Sequence, residues 1–207
     1  MSKYTYEANN LQTRLETYEW DRMWVEKAND VDTHRVLYIG DSISWETRKY
    51  ATEAMDGKLY FDGYATSKAL DNPFFQDNIR IFSKEEKYRS AVVFNNGLHG
   101  WHLDDTVKYG EEYEKMISFL LREFEGTPIF LLLTTHVADK HRDARVVVRN
   151  GVVRDIANKY RLPVIDIYKI SKEQGELLCS DGVHFTKEGY EMLAKELTDA
   201  LQRGKII

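Results

Sequence analysis

One serine, one histidine and one aspartate have the side chains and the setting that nucleophilic catalysis requires. Ser42 follows the apolar run Arg35–Ile39 and the pair Gly40-Asp41. A serine hydroxyl is a poor nucleophile at neutral pH unless a nearby base accepts its proton. His184 is the candidate base, and Asp181 precedes it by three residues, a spacing that lets the carboxylate reach the far ring nitrogen. Together they predict acyl transfer through a Ser-His-Asp triad.

The tetrahedral intermediate of such a reaction needs hydrogen-bond donors for its oxyanion. The backbone N–H of Ser42 is one candidate donor, and we expect a second backbone N–H from the segment between Gly63 and Ser67. The third candidate is a side-chain amide. It belongs to Asn95 or Asn96, and the sequence alone leaves both open.

Further polar and aromatic side chains follow the ends of predicted strands and are candidates for contact with substrate. They are Asp41, His99, Trp101 and His136. Trp101 is favoured for a sugar ring, because the flat apolar face of an aromatic ring suits sugars. A histidine metal cluster is the alternative for His99, His102, His136 and His141, but no His-Glu-x-x-His motif or cysteine pair supports it. We therefore predict no metal and no cofactor.

Short apolar runs alternate with helical segments along the chain. Strands are predicted at 35–39, 58–61, 91–94, 129–133 and 164–167, and helices at 45–55, 113–124, 146–160 and 187–202. A hairpin turn at Asn150-Gly151 is the alternative for 146–160, but the four-residue spacing of Val152, Ile156 and Tyr160 favours a helix. Apolar strands that alternate with helices indicate a parallel sheet covered on both faces. Ligands bind beyond the carboxyl ends of such strands, where the candidate residues lie.

The sequence thus predicts one three-layer α/β/α domain over residues 1–207, with a five-stranded parallel sheet. Residues 1–32 are expected to form a helical extension packed on it, since helical composition runs from about Asn9 to Ala28. Trp20 and Trp24 add aromatic mass to this segment, together with the apolar Met23. Packing over the sheet is the main interpretation. A wall of the substrate site or a contact in a homo-oligomer is the alternative.

Composition narrows the classes of partner. With a net charge of −5, the chain lacks the basic surface that nucleic acid or an anionic membrane attracts. No apolar run is long enough to span a bilayer, and the first residues lack the apolar core of a signal peptide. The single cysteine, Cys179, excludes an internal disulfide framework. We therefore expect a cytoplasmic protein that acts on a small molecule.

The order and spacing of these motifs resemble the SGNH (GDSL-type) hydrolases. The resemblance is carried by Gly40-Asp41-Ser42 after the first strand, by Asn95-Asn96-Gly97-Leu98-His99 after the third, and by Asp181-Gly182-Val183-His184 before the last helix. It extends from Arg35 to Leu201. It implies a flavodoxin-like sheet, with Ser42 as nucleophile, His184 as base and Asp181 as its partner.

Two departures from the family pattern concern the oxyanion donors. The usual Gly-x-Asn-Asp is replaced here by Asn95-Asn96-Gly97-Leu98. The loop glycine that usually donates its N–H aligns with Ser67, and Gly63 is nearby.

The function expected from motifs and resemblance is that of a serine esterase. It would hydrolyse short-chain acyl esters, above all acetyl esters, of a carbohydrate or another small alcohol. A lysophospholipase- or thioesterase-type acyl hydrolase is the alternative within the enzyme class, and the absence of a long apolar lid disfavours it. A non-catalytic binding module on the same fold is the alternative from another class, supported by the altered Asn95–Leu98 motif.

Overall fold

The structure, a computed structural model, describes residues 18–85 and 88–206. In chain order its strands and helices are β1 (Asp21–Trp24), β2 (His34–Gly40), α1 (Ser42–Ala54), β3 (Leu59–Thr66), α2 (Phe75–Ser83), β4 (Ala91–Phe94), α3 (Thr106–Glu123), β5 (Ile129–Leu132), α4 (Lys140–Tyr160), β6 (Val164–Ile165), α5 (Ile167–Glu173) and α6 (Lys187–Arg203). A short 3-10 helix, Gly175–Leu177, lies between α5 and α6.

The strands form one six-stranded sheet in the order β1-β3-β2-β4-β5-β6. Strands β2 to β6 are parallel to one another, whereas β1 runs antiparallel to β3 at the edge. The predicted five-stranded parallel sheet is therefore confirmed, with one antiparallel strand added. All the segments that follow the parallel strands leave the sheet at the same end, which brings the candidate site residues together.

Both faces of the sheet are covered, as the uniformly apolar strands predict. On β2, Val36 and Tyr38 pack in one core with α1 and α6, while Leu37 and Ile39 pack in the other with α2, α3 and α4. Successive residues of a strand point to opposite faces, so this division of β2 defines the two helical layers. The three-layer α/β/α architecture is confirmed.

The helix predicted from Asn9 to Ala28 is wrong at its described end, because Asp21–Trp24 is a strand. Residues 9–17 lie outside the described part of the chain. Strand β1 pairs with β3 from Asp21 opposite Thr66 to Trp24 opposite Gly63. This pairing satisfies backbone groups at the edge of the sheet, and such tertiary contacts override a weak local helix preference. We call residues 20–26 the edge segment.

Strand β3 is longer than predicted, because Asp62 to Thr66 belong to it rather than to a loop. The polar Asp62 suggests a turn, but its carboxylate is fully buried and forms an ion pair with Arg35 at 3.0 Å. Gly63 is required by close packing, since a Cβ there would lie 2.6 Å from Cδ of Arg48. Both residues therefore serve contacts between elements, which local composition does not reveal.

The helix predicted over 146–160 is confirmed and extends back to Lys140. The amide of Asn150 accepts a hydrogen bond from the Thr134 N–H at 2.8 Å and donates one to the Thr134 carbonyl at 2.9 Å. The asparagine that suggested a hairpin turn thus fixes α4 to the end of β5.

Two helices were not predicted, α2 and α5. The segment expected as a strand at 164–167 ends at Ile165, because the Asp166 carboxylate accepts a hydrogen bond from the Lys169 N–H and caps α5. Among the described residues no helix combines the length and the apolar character needed to cross a bilayer.

Candidate active site

Ser42 lies where β2 ends and α1 begins. The Asp41 carboxylate accepts a hydrogen bond from the Ile43 N–H at 2.9 Å and caps the helix, so Ser42 is its first residue. A backbone N–H at this position has no partner inside the helix and points beyond its positive end. Gly40 is required before it, since a Cβ there would lie 2.6 Å from Oγ of Ser44. The turn therefore presents both the hydroxyl and the N–H of Ser42 at the sheet end.

His184 links Ser42 to Asp181. Its Nε2 lies 2.8 Å from Oγ of Ser42, and its Nδ1 lies 2.7 Å from Oδ2 of Asp181. The other Asp181 oxygen accepts hydrogen bonds from the Val183 and His184 N–H groups, both at 2.9 Å. The backbone N–H of Val183, followed by the side chain and the N–H of His184, lowers the pKa of Asp181 to about 2. Asp181 is therefore a carboxylate at neutral pH, able to orient the imidazole and stabilise its protonated form.

Backbone pairing between its two ends fixes the loop that carries His184. Leu178 pairs with Phe185 across it, and the Cys179 N–H donates to the His184 carbonyl at 2.7 Å. Gly182 has φ of +70°, and a Cβ there would lie 2.9 Å from Cβ of Ala138. Glycine is therefore needed for the turn between Asp181 and His184.

Asn95 and Asn96 take different roles, although they are adjacent. The Asn95 amide donates to the Leu132 carbonyl at 2.8 Å and to the Thr134 hydroxyl at 3.1 Å, so both of its hydrogens join β4 to β5. The Asn96 amide donates to the Lys68 carbonyl at 3.0 Å, and within the described residues its second hydrogen has no protein acceptor. Of the two asparagines, Asn96 is therefore the one that keeps an amide hydrogen uncommitted.

The backbone donor expected between Gly63 and Ser67 is not available in this structure. Gly63 lies inside β3, paired with Tyr38 and Trp24, and not at the strand end. The Ser67 N–H donates to the Trp20 carbonyl at 3.2 Å, as the edge segment extends its pairing along β3. The assignment of Gly63 or Ser67 to the oxyanion hole stays a prediction, and local spacing does not show that a strand pairs there.

A cleft of about 430 Å³ opens beside the serine. Its lining residues are Trp20, Arg22, Ser42, Glu46, His99 and His184. Glu46 could have been found from sequence, because it follows Ser42 by four residues and shares its helix face. The expectation that an aromatic of the N-terminal segment is only packed over the sheet is wrong for Trp20, which forms a wall of the cleft. That this cleft is the substrate site, as the alternative interpretation has it, stays a prediction.

The remaining predicted contact residues are distributed unevenly. His99 lines the cleft and meets Trp20 edge to face, with ring centroids 6.1 Å apart. Asp41 is buried and caps α1, so its side chain does not face the cleft. Trp101 stacks against the guanidinium of Arg145, whose carbon lies 4.3 Å from the ring centroid.

His136 forms its side-chain hydrogen bond with a group outside the cleft. Its Nδ1 lies 2.7 Å from the Asp143 carboxylate, which also accepts a hydrogen bond from the Tyr168 hydroxyl at 3.0 Å. His102 is similarly bound to Asp71 at 2.9 Å. Within the described residues no three His, Cys, Asp or Glu side chains are grouped so that they could hold a metal ion.

Arg149 supports the loop after β4, and the motif analysis missed it. Its guanidinium is buried and donates to the carbonyls of Gly97, His99, Gly100 and Leu103 at 2.7–3.2 Å. This arginine positions the segment that brings Asn96 and His99 to the sheet end. The sequence alone does not show that Arg149, in the middle of α4, supports this loop.

No family model matches this sequence, and no curated protein matches it either. Solved structures do match. The chain superposes on a lipase/acylhydrolase from Enterococcus faecalis with a TM-score of 0.65 and 18% identity, covering 83% of this chain and 97% of the other. A GDSL-like lipase from Bacteroides thetaiotaomicron has a TM-score of 0.66 and 15% identity, with 96% of each chain covered. The fold is that of the SGNH (GDSL-type) hydrolases.

The SGNH fold expected from the sequence motifs is thus confirmed. It is shared with an acetyl xylan esterase, AlAXEase, at a TM-score of 0.63 and 17% identity, covering 81% of this chain and 99% of the other. The match with the Bacteroides structure takes in more of the present chain than the other two. At such identities the likeness establishes the fold, and the roles of the site residues rest on their geometry.

Proposed function

We propose that this chain is a serine ester hydrolase that removes short acyl groups, above all acetyl, from a carbohydrate or a similar alcohol. The observation that carries the proposal is the continuous hydrogen-bonded arrangement of Ser42, His184 and Asp181, with contacts of 2.8 and 2.7 Å. Such an arrangement activates a hydroxyl that is otherwise a poor nucleophile.

In the proposed reaction, the Ser42 oxygen attacks the ester carbonyl while its proton passes to Nε2 of His184. The protonated imidazole then gives that proton to the departing alcohol, and Asp181 stabilises its charge meanwhile. Water, deprotonated by the same nitrogen, then attacks the acyl carbonyl, and that proton returns to the Ser42 oxygen as the carboxylic acid leaves. The Ser42 N–H and the second amide hydrogen of Asn96 are the donors available for the oxyanion.

The lining of the cleft supports a short acyl group. Arg22 and Glu46 place charged groups beside Ser42, and a long alkyl chain there would remove them from water at a cost in free energy. The indole of Trp20 offers an apolar surface to a sugar ring. The structurally similar AlAXEase is named an acetyl xylan esterase, which agrees with this substrate class.

The test is hydrolysis of 4-nitrophenyl esters by wild type, by Ser42→Ala and by the control Ser118→Ala. Ser118 lies on α3 and contacts Tyr160, away from the cleft residues. We expect Ser42→Ala to lose about 10⁴-fold or more in kcat, as when a catalytic serine is removed elsewhere. Equal rates for wild type and Ser42→Ala would refute the proposal.

Two further measurements separate the alternatives. A preference for acyl chains of about eight carbons or more would favour a lysophospholipase-type hydrolase instead. Failure of a fluorophosphonate to label Ser42 would favour a binding module, because only an activated serine reacts with it.

A further inference from the structure

The edge segment brings an arginine into the cleft beside the nucleophile. Arg22 lines the same cleft as Ser42 and His184, although it comes from β1 and lies outside the motifs that mark the site. In a strand, Trp20, Arg22 and Trp24 point to the same face, here towards α1. The edge segment therefore contributes side chains to the site itself.

Arg22 is held between two indoles. Its guanidinium carbon lies 5.5 Å from the ring centroid of Trp20 and 5.6 Å from that of Trp45. Both distances are within the range of a cation–π contact, and no hydrogen bond from the Arg22 N–H groups is found to the described residues. These N–H groups form the planar fork that matches a carboxylate.

Arg48 also contacts the Trp45 ring, and its surroundings are those of an arginine with a structural role. Arg48 lies 4.3 Å from the Trp45 ring centroid, is 3% exposed, and has Glu26 at 3.7 Å. Arg22 is exposed, and among the described residues no carboxylate lies within ion-pair distance of it. Arg22 and Arg48 both contact Trp45. Of these two arginines, only Arg22 lines the cleft and is exposed to a ligand there.

The carboxylate among the residues that line the cleft, Glu46, already has a cationic partner. Both oxygens of Glu46 accept hydrogen bonds from the Lys49 ammonium, at 2.9 and 2.7 Å. Arg22 is therefore the cleft charge without a protein counter-ion among the described residues. A single open cation suits a single negative charge on the substrate.

We infer that Arg22 binds a carboxylate on the alcohol part of the substrate, so that the preferred substrates are acyl esters of hydroxy acids or acidic sugars. The inference rests on the proposed ester hydrolysis at Ser42. The alcohol part must carry the charge, because an acetyl group has no room for one. Arg22 is thus a specificity residue, and His184 and Asp181 remain responsible for proton transfer.

The test compares matched acetate esters, 3- and 4-acetoxybenzoate against the neutral 3- and 4-acetoxybenzamide. The quantity of interest is the ratio of kcat/KM for the acid to that for the amide, so that differences between the leaving groups cancel across variants. We expect Arg22→Gln to lower this ratio about 10-fold, at the low end for a charge-assisted hydrogen bond. Arg22→Lys should give an intermediate ratio, because it keeps the charge without the fork.

Arg122→Gln is the matched control. Arg122 is exposed in the last turn of α3, which precedes β5 and so lies at the end of the sheet opposite the cleft. Its ratio should equal that of wild type. The wild-type preference for the acid should also weaken as salt is raised to about 0.5 M. An unchanged ratio in Arg22→Gln would overturn the inference.

Binding without turnover separates this inference from the proposed function. The unhydrolysed esters are titrated into Ser42→Ala and Ser42→Ala/Arg22→Gln, with tryptophan fluorescence as the signal. Tighter binding of the acid than of the amide, lost in the double variant, supports the role of Arg22 even if wild type hydrolyses neither ester. Equal binding of acid and amide by Ser42→Ala overturns it, whatever the hydrolysis shows.

Discussion

The two walls of the cleft, which are the loop that carries Asp181 and His184 and the edge segment, are each held together by contacts of very different range in the sequence. On the triad side, Asp181 and His184 are three residues apart and contact each other directly. On the edge-segment side, the Trp20 N–H donates to the Ser67 hydroxyl across 47 residues, and the Glu26 N–H to the Asp62 carboxylate across 36. The pairing of Asp181 with His184 is therefore local, whereas the contact of His184 with Ser42 spans 142 residues and, like the edge segment, depends on the completed sheet.

Asp181→Asn is expected to give the largest effect on kcat, and to do so without affecting the function of the edge segment. An amide cannot hold the imidazole in the required tautomer or stabilise its charge, so kcat for 4-nitrophenyl acetate should fall about 10³-fold or more. The acid-to-amide ratio that reports on Arg22 should stay as in wild type. Asp199→Asn is the control, since Asp199 is bound to Lys195 on the exposed side of α6. A loss of less than about 10-fold would show that Asp181 is not needed for orientation.

The oxyanion donors give the next effect. Asn96→Ala should lower kcat about 100-fold, the usual cost of one missing donor, with a smaller change in KM. Asn95→Ala should act mainly on stability, because its amide joins β4 to β5. Steady-state kinetics and urea unfolding of both variants test this division. The reverse pattern, with Asn95→Ala losing more kcat, would assign the donor to Asn95.

The edge segment is anchored by the buried pair of Arg35 and Asp62. Besides this ion pair, Arg35 donates to the carbonyls of Glu26, Lys27 and Asp30 at 2.7–2.9 Å. Asp62→Asn should lower the free energy of unfolding by about 3 kcal/mol, because it leaves a buried charge without its partner. Asp77→Asn, which removes an exposed pair with Arg80, should change it by less than about 1 kcal/mol. Equal losses in urea unfolding would contradict the anchoring role.

The smallest expected effect is a dependence of stability on pH that arises at Asp181 and at Asp30, which follows the edge segment. A hydrogen bond from the Thr33 hydroxyl, then the Thr33 N–H and the Tyr60 hydroxyl, lowers the pKa of Asp30 to about 2, and the pKa of Asp181 is likewise about 2. Both values lie below that of an unfolded aspartate, about 3.9. The stability that each carboxylate contributes is therefore present above about pH 4 and is lost as the pH falls through about 2.

Asp30→Asn and Asp181→Asn should consequently lower the urea midpoint at pH 5 and converge on wild type at pH 2. A gap that stays constant over this range would show that ionisation of the carboxylate does not account for the stability contributed at either position.

The sequence predicts the parallel sheet and the triad because each depends on short-range patterns. Gly40-Asp41-Ser42 combines a buried strand, a glycine without room for a side chain and a helix cap, all within a few residues. Arg22 could not be assigned in the same way, since its segment has helical composition and becomes a strand only by pairing with β3. The alternation of Trp20, Arg22 and Trp24 is the one signal of a strand there, and it is too short to decide. The hydrogen bond of the Ser67 N–H to the Trp20 carbonyl could not be predicted either, because it is made by that same unpredicted segment.

Strand β1 also has a consequence for the behaviour of the protein at high concentration. Without it, the outer strand of the sheet would be β3, with eight residues that are all buried in the folded chain. A long apolar edge with unpaired N–H and C=O groups is a template for sheet extension between molecules. With β1 in place, the outer strand is four residues long and carries the charges of Asp21 and Arg22. Loosening of the edge segment should therefore be seen first as aggregation, before any loss of secondary structure.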